Sequence, residues 1–121
     1  MAAIHELGKQ GEELAARYLT KKGYKILETN WHFGRNELDL IAEDGDILVV
    51  VEVKTRQSNV MGDPEMAVTW EKQRAIIRSA NAYVRWKRRA TEVRFDILSV
   101  LIRGEKVKIN HIPDAFYPMA R

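Results

Sequence analysis

The chain has 121 residues, of which 45% are hydrophobic, and this is enough for one domain with a substantial core over residues 1–121. It contains no cysteine, which excludes a disulfide framework and thiolate metal ligands and is typical of a protein from the reducing cytoplasm. No apolar run approaches the roughly 18 residues of a membrane span, and the charged N-terminus lacks a secretory core, so we expect a cytoplasmic protein without a membrane partner.

Charge is divided unevenly along the chain. Residues 1–52 contain 6 Lys and Arg against 10 Asp and Glu, whereas residues 53–121 contain 14 against 7. The net charges of the two parts are therefore −4 and +7. This division is expected of a metal-dependent enzyme that acts on nucleic acid, with acidic ligands in one part and a basic surface in the other.

The hydrophobic pattern predicts seven elements in the order α-β-β-β-α-β-β. An amphipathic helix over 4–22 is followed by a strand over 24–32, a hairpin that ends at Lys54, a helix over 71–88 and strands over 93–102 and 106–112. Residues 55–70 form a longer connection, which contains the helix-start signal Asp63-Pro64-Glu65. We expect an α/β fold in which a mixed sheet is flanked by helices.

The hairpin carries four charged residues on otherwise apolar strands. Because Asp44-Gly45 is a two-residue turn signal, we expect Asp39 to pair with Val50 and Glu37 with Glu52. Asp39 and Glu52 would then be diagonal neighbours, roughly 7–8 Å apart at the backbone.

Side chains alternate along a strand, so this register predicts one shared face, and a slip of one residue would destroy it. The residues of that face are Glu37, Asp39, Glu52 and Lys54. Charge on a core strand indicates pairing or metal binding, and the alternative is a solvated polar face. That alternative is weakest for Glu52, which follows the apolar run of residues 47–51.

Glu12 is a candidate fourth carboxylate from the first helix. It lies at the edge of the apolar stripe and leans towards the sheet, whereas Glu13 is further round and has Arg17 four residues later. The alternative for Glu12 is an ordinary glutamate at the rim of the core. Gly8 and Gly11 weaken this helix, which is tolerable where its backbone closely approaches a neighbour.

Basic residues of the second helix and its surroundings are candidates for contacts with nucleic-acid phosphates. The candidates are Arg56, Lys72, Arg74, Arg78, Arg85 and Arg88. Lys72 and Arg56 are expected closest to the site, and the alternative for the helical arginines is a solvated face. Trp70 and Trp86 are candidates for base stacking or for packing. The three histidines are scattered without ligand spacing, and we assign them no role.

The spacing of the hairpin residues is similar to a known nuclease pattern. Asp39, twelve residues and then Glu52-Val53-Lys54 resemble the Asp…Glu-x-Lys core of the restriction-endonuclease-like (PD-(D/E)XK) superfamily. Further segments resemble the YraN-like bacterial family. They are residues 11–19, 23–27, 30–31, 37–42, 51–56 and 94–96. Two positions depart from the patterns, because Asn36 stands where the family usually has glycine and Leu38 where the superfamily has proline.

The resemblance implies the restriction-endonuclease-like α-β-β-β-α-β core fold and a divalent-metal nuclease ancestry, with archaeal-type Holliday junction resolvases as relatives. In those relatives an acidic residue of the first helix joins the site, which points to Glu12. Oxygen ligands without cysteine or histidine suit Mg²⁺ or Mn²⁺. Asp39 and Glu52 would hold the ion, joined by the Val53 carbonyl, with Glu37 or Glu12 as further ligands.

Lys54 has two possible roles beside this metal site. It could orient or deprotonate the attacking water, or neutralise charge in the transition state. A lysine base needs a pKa well below about 10.4, and neighbouring carboxylates would raise that pKa, so we favour the electrostatic role.

The expected function is hydrolysis of phosphodiester bonds in DNA, branched or damaged DNA included. The first alternative is a non-catalytic module that binds nucleic acid or protein and retains the fold. A metal-free RNA endonuclease of the tRNA-splicing type is a third class, but it needs a histidine–lysine–tyrosine arrangement that this sequence does not offer. DNA is the favoured partner over RNA, and a small domain would cover a DNA junction only as a homodimer.

Overall fold

A computed structural model of the chain describes residues 2–57, 68–89 and 92–116, with side chains from residue 6 onward. The helices are α1 (Ala2–Lys21) and α2 (Trp70–Trp86). The strands are β1 (Lys25–Phe33), β2 (Asn36–Asp44), β3 (Ile47–Arg56), β4 (Glu92–Arg103) and β5 (Lys106–Phe116). The predicted order and the α/β class are confirmed. The helix start predicted at Asp63-Pro64-Glu65 lies outside the described residues.

The strands form one mixed sheet in the order β1-β2-β3-β4-β5. The β3–β4 pair is parallel because α2 lies between these strands in the chain, and the other three pairs are antiparallel. One core cluster contains α2 residues such as Ile76 and Tyr83, and the other contains α1 residues such as Ala15 and Leu19. Each helix therefore covers one face of the sheet.

The helix boundaries have local causes. Gly23 follows α1 with φ 96°, a conformation that glycine adopts without strain. Thr69 caps α2, because its side-chain oxygen accepts a hydrogen bond from the Lys72 amide. Arg88 has φ 51° and lies beyond the end of α2, so its predicted place within the helix is wrong.

The register of the β2–β3 hairpin differs from the prediction by two residues. Asp44 pairs with Ile47, and Leu40 pairs with Val51. The loop is therefore Gly45-Asp46, with φ 59° at Gly45, the first central position, where a type II′ turn needs glycine. The predicted loop Asp44-Gly45 is wrong. A shift of two preserves alternation along β3, and Glu37, Asp39 and Glu52 still line one cleft.

The close approach expected at Gly11 is confirmed. A β-carbon built on Gly11 would overlap the Thr55 side chain of β3. Only a residue without a side chain fits at this crossing. A β-carbon on Gly8 would meet no described atom within 4 Å, so close packing does not account for this glycine.

Neither described helix is both long and apolar enough to cross a lipid bilayer.

Candidate functional site

Glu52 is a charged residue in the middle of the sheet. It lies on β3, pairs with Ile97 of β4, and its side chain is only 2% exposed. One carboxylate oxygen, Oε1, is 3.5 Å from the Lys72 ammonium nitrogen. The other, Oε2, is buried and accepts no hydrogen bond from any residue that the structure describes. Burial raises the pKa of Glu52, and the charges of Lys72 and Lys54 offset this only partly.

Asp39 lies where β2 and β3 stop pairing. The ladder ends at Leu40–Val51, and extending it by one residue places Asp39 opposite Glu52. The predicted pairing of Asp39 with Val50 is therefore wrong, since Val50 pairs with Ile41. Beyond the ladder, the Val53 amide donates a 2.8 Å hydrogen bond to Asp39 Oδ2. Burial and the neighbouring Glu52 charge raise the pKa of Asp39 to about 7, although the hydrogen bond from Val53 acts to lower it.

Two lysines complete the centre of the site. Lys54, two residues after Glu52, shares a hydrogen bond with Lys72 of α2. Burial, this hydrogen bond and the Lys72 charge lower the pKa of Lys54, although Glu52 and Asp39 oppose the shift. Burial alone would lower the pKa of Lys72 too, but the bond to Lys54 and the two carboxylates raise it. The two carboxylates raise the pKa of Lys54 as expected, but burial and Lys72 outweigh them.

The side chains of Asp39, Glu52 and Lys72 meet in an open cleft between α2 and the β1–β2 end of the sheet, with a volume of about 220 Å³. Its lining residues are Arg35, Asn36, Glu37, Asp39, Glu52, Lys72, Ala75, Ile76 and Ser79. Arg35 comes from the β1–β2 turn and Asn36 begins β2, and sequence reasoning did not identify either as a site residue. Their only signal was the position of this turn beside the Glu37–Asp39 segment.

The other two carboxylate candidates lie at the margin of the site. Glu37 lines the cleft, lies 3.3 Å from the His32 ring and pairs with His32 of β1. The β2–β3 ladder ends at Leu40–Val51, before it reaches Glu37. The predicted pairing of Glu37 with Glu52 is therefore wrong. Glu12 accepts a 2.9 Å hydrogen bond from Asn30, and its charge contributes to the raised pKa of Asp39.

Two carboxylates at the centre of the cleft are candidate ligands for a divalent ion. In the described part of the chain, no group of three or more His, Asp and Glu side chains is gathered tightly enough to hold a metal. Mg²⁺ is nevertheless commonly held by one or two carboxylates plus water and substrate phosphate. Asp39 and Glu52 supply two carboxylates, and Glu52 Oε2 lacks a donor among the described residues.

The remaining predicted residues are divided between the cleft and the surface. Lys72 lines the cleft, and Arg56 ends β3 two residues beyond Lys54. Arg74, Arg78 and Arg85 are exposed on α2, and the Arg74 guanidinium lies 4.8 Å from the centre of the Trp70 ring. None of these three arginines lines the described cleft. The Val53 carbonyl stays a predicted ligand, since the described contact of Val53 with Asp39 uses its amide.

A second buried carboxylate was missed by sequence reasoning. Asp96 is fully buried on β4, and its Oδ2 lies 2.7 Å from His111 Nε2 and 2.9 Å from an Arg94 nitrogen. Its Oδ1 accepts hydrogen bonds of 2.9 Å from Arg94 Nε and from the Asp114 amide. Aspartate within the apolar run of β4 was the available signal, and His111, which was assigned no role, is its partner.

Comparison with known proteins places the chain in a family. Residues 11–100 match the model of the uncharacterised protein family UPF0102. The chain is 49% identical over 118 residues, 98% of each chain, to a UPF0102 protein of Phocaeicola vulgatus. It is 46% identical over 121 residues, the full length of both chains, to one of Parabacteroides distasonis. The YraN-like family resemblance is thus confirmed, and the chain belongs to the bacterial family UPF0102.

Proposed function

We propose that the chain hydrolyses phosphodiester bonds in DNA, with Mg²⁺ or Mn²⁺ held by Asp39 and Glu52. One observation carries the proposal: Glu52 is buried beside Asp39, yet its Oε2 accepts no hydrogen bond from the described chain. A buried carboxylate normally has partners for both oxygens, because an uncompensated charge is costly to bury. A bound cation would compensate this charge.

The basic side chains of the cleft suit a phosphodiester. Arg35 and Lys72 line the same cleft as the two carboxylates, so an anionic group entering it meets positive charge. When bound, the divalent ion would supply Lewis acidity to the scissile phosphate and lower the pKa of a bound water. Hydrolysis would then take place inside this cleft, with a DNA strand bound across its opening.

Lys54 and Lys72 divide two roles in this proposal. The lowered pKa of Lys54 makes its Nζ a better proton acceptor than an ordinary lysine, and its hydrogen bond with Lys72 fixes its position. The raised pKa of Lys72 keeps its ammonium charged beside Glu52, where it stabilises negative charge on a phosphate. We propose Lys54, which follows Glu52 by two residues on β3, as the base.

The test is cleavage of linear, nicked, flapped and four-way DNA with Mg²⁺ or Mn²⁺. We expect Asp39→Ala and Glu52→Ala to lower the rate by a factor on the order of 10²–10³. Glu13→Ala is the matched control, because Glu13 is an exposed glutamate next to Glu12 on α1. Equal cleavage by wild type and Asp39→Ala would overturn the proposal.

The second candidate is a non-catalytic nucleic-acid-binding module. It is favoured by the absence of a three-carboxylate group from the described ranges 2–57, 68–89 and 92–116. Thermal unfolding with Mn²⁺ separates the two candidates. Binding to the native state raises the melting temperature, so Mn²⁺ should stabilise wild type but not the Asp39→Ala/Glu52→Ala double variant. No difference between them, with DNA binding and no cleavage, would favour the second candidate.

A further inference from the structure

Three aromatic residues form an exposed stack between β1 and the end of α2. The Trp31 ring lies 5.9 Å from Trp86, with 26° between the planes, and 6.5 Å from Phe33, with 2° between the planes. Trp86 is 61% exposed and Phe33 is 44% exposed. We call Trp31, Phe33 and Trp86 the aromatic stack. Trp31 and Trp86 both pack edge-on against the buried Tyr83, and the outer sides of Trp86 and Phe33 face solvent.

Positive charge accompanies the aromatic stack. The Lys87 ammonium lies 4.5 Å from the centre of the Trp86 ring, and the exposed Arg88 follows it. Lys87 also lies 3.8 Å from Glu28, a distance at which a solvated ion pair is weak. Aromatic rings beside cations suit a ligand that offers flat faces joined by negative charge.

The aromatic stack is continuous with the cleft by two routes. Along β1, Phe33 is followed by the Gly34-Arg35 turn, and Arg35 lines the cleft. Along α2, Ser79 follows Lys72 by seven residues, and Trp86 follows Ser79 by seven. Seven residues are about two turns, so Lys72 and Ser79 of the cleft and Trp86 of the stack lie on one side of the helix. From Lys72 to Trp86 the helix rises by about 21 Å. This length is enough for a few nucleotides.

We propose that the aromatic stack binds unpaired nucleotides of the DNA strand whose phosphate enters the cleft. The inference rests on the proposed function and extends it to a substrate class, DNA with a single-stranded segment next to a duplex. In a duplex the face of each base is covered by its neighbours, whereas an unpaired base can lie on an aromatic side chain. Phe33, nearer the cleft, would meet the first unpaired base, and Trp86 a later one.

Binding measured by fluorescence anisotropy tests this inference without any need for cleavage. The probes are a labelled duplex and the same duplex with a five-nucleotide thymidine tail, both in EDTA. We expect wild type to bind the tailed duplex roughly tenfold more tightly. Trp86→Leu, which keeps apolar bulk but removes the flat ring, should lose this preference, and Trp86→Phe should retain most of it.

Trp70→Leu is the matched control. Trp70 is 45% exposed on the same helix, but its spacing from Ser79 places it on the opposite side from the cleft. This variant should keep the preference for the tail. Loss of the preference in Trp70→Leu and Trp86→Leu alike would overturn the inference, because it would indicate general loss of affinity.

The two proposals fail in different ways. A tail preference that depends on Trp86, without cleavage of any substrate, supports the aromatic stack and overturns only the nuclease. Cleavage that depends on Asp39, with equal affinity for both probes, overturns only the aromatic stack. Self-association that Trp86→Leu abolishes, without an effect on DNA, would assign the stack to a dimer interface and overturn the inference.

Discussion

Glu52 and Asp96 lie on the neighbouring parallel strands β3 and β4, at registers one residue apart, and both side chains are almost fully buried. Asp96 has donors for both oxygens, whereas Glu52 has one lysine 3.5 Å from Oε1 and none in the described chain for Oε2. Glu52 faces α2 and the open cleft. Asp96 is level with Val51, which belongs to the core cluster on the α1 face.

The pKa shifts separate the two carboxylates in the same way. Burial alone would raise the pKa of Asp96, but hydrogen bonds from His111, Arg94 and the Asp114 amide hold it below the ordinary 3.8. At Glu52 burial prevails and the pKa is raised. A buried carboxylate with complete hydrogen bonding stabilises the fold, whereas one without it is a candidate ligand-binding group.

The largest expected effect on stability is at Asp96. Asp96→Ala leaves Arg94 and His111 without their buried partner, and we expect the free energy of unfolding to fall by about 3–5 kcal/mol. Glu52→Gln removes a buried charge and should leave stability unchanged or raised. Urea unfolding at pH 7 without metal measures both. A larger loss of unfolding free energy in Glu52→Gln than in Asp96→Ala would contradict this contrast between the two carboxylates.

A smaller effect is expected where α1 crosses β3. Gly11→Ala places a methyl group on the Thr55 side chain, and overpacking of this kind costs about 1–3 kcal/mol. Gly8→Ala is the matched control in the same helix, where helix propensity should stabilise by up to about 1 kcal/mol. Thermal unfolding should lower the melting temperature of Gly11→Ala only. Equal melting temperatures of the two variants would contradict tight packing of α1 on β3 at Gly11.

The two carboxylates should also differ in the pH dependence of stability. The pKa of Asp96 is lower in the folded chain than the ordinary 3.8, so its stabilisation is present above that value and is lost as pH falls below it. The pKa of Asp39 is about 7 when folded, so the folded chain binds the extra proton and stability falls as pH rises from about 4 to 7.

Urea unfolding from pH 3 to pH 8 in EDTA, at constant ionic strength, measures both slopes. Asp39→Asn should flatten the slope between pH 4 and pH 7, and Asp96→Asn should flatten the acid slope. The contrast between Asp39 in the cleft and Asp96 would be contradicted if Asp39→Asn flattened the acid slope and Asp96→Asn flattened the slope between pH 4 and pH 7.

Local patterns predicted the elements and the faces of the hairpin, because alternation depends on parity rather than on exact register. The register itself depended on whether the two-residue loop was Asp44-Gly45 or Gly45-Asp46, and these two dipeptides have similar turn propensity. Lys72 was expected near the site, but its contact with Glu52 arises from how α2 packs on the sheet. Helix packing also brings Trp86 onto Trp31, and no local pattern links residues 55 positions apart.

The parallel pairing of β3 with β4 has a consequence for how the family can vary in length. One residue inserted into β3 ahead of Glu52 would turn this carboxylate to the α1 face and out of the cleft. An insertion at Gly45-Asp46 would lengthen only the turn and leave both ladders in place. Relatives that preserve the site should therefore tolerate insertions at the hairpin turn, and within the strand only pairs of residues would keep Glu52 in the cleft.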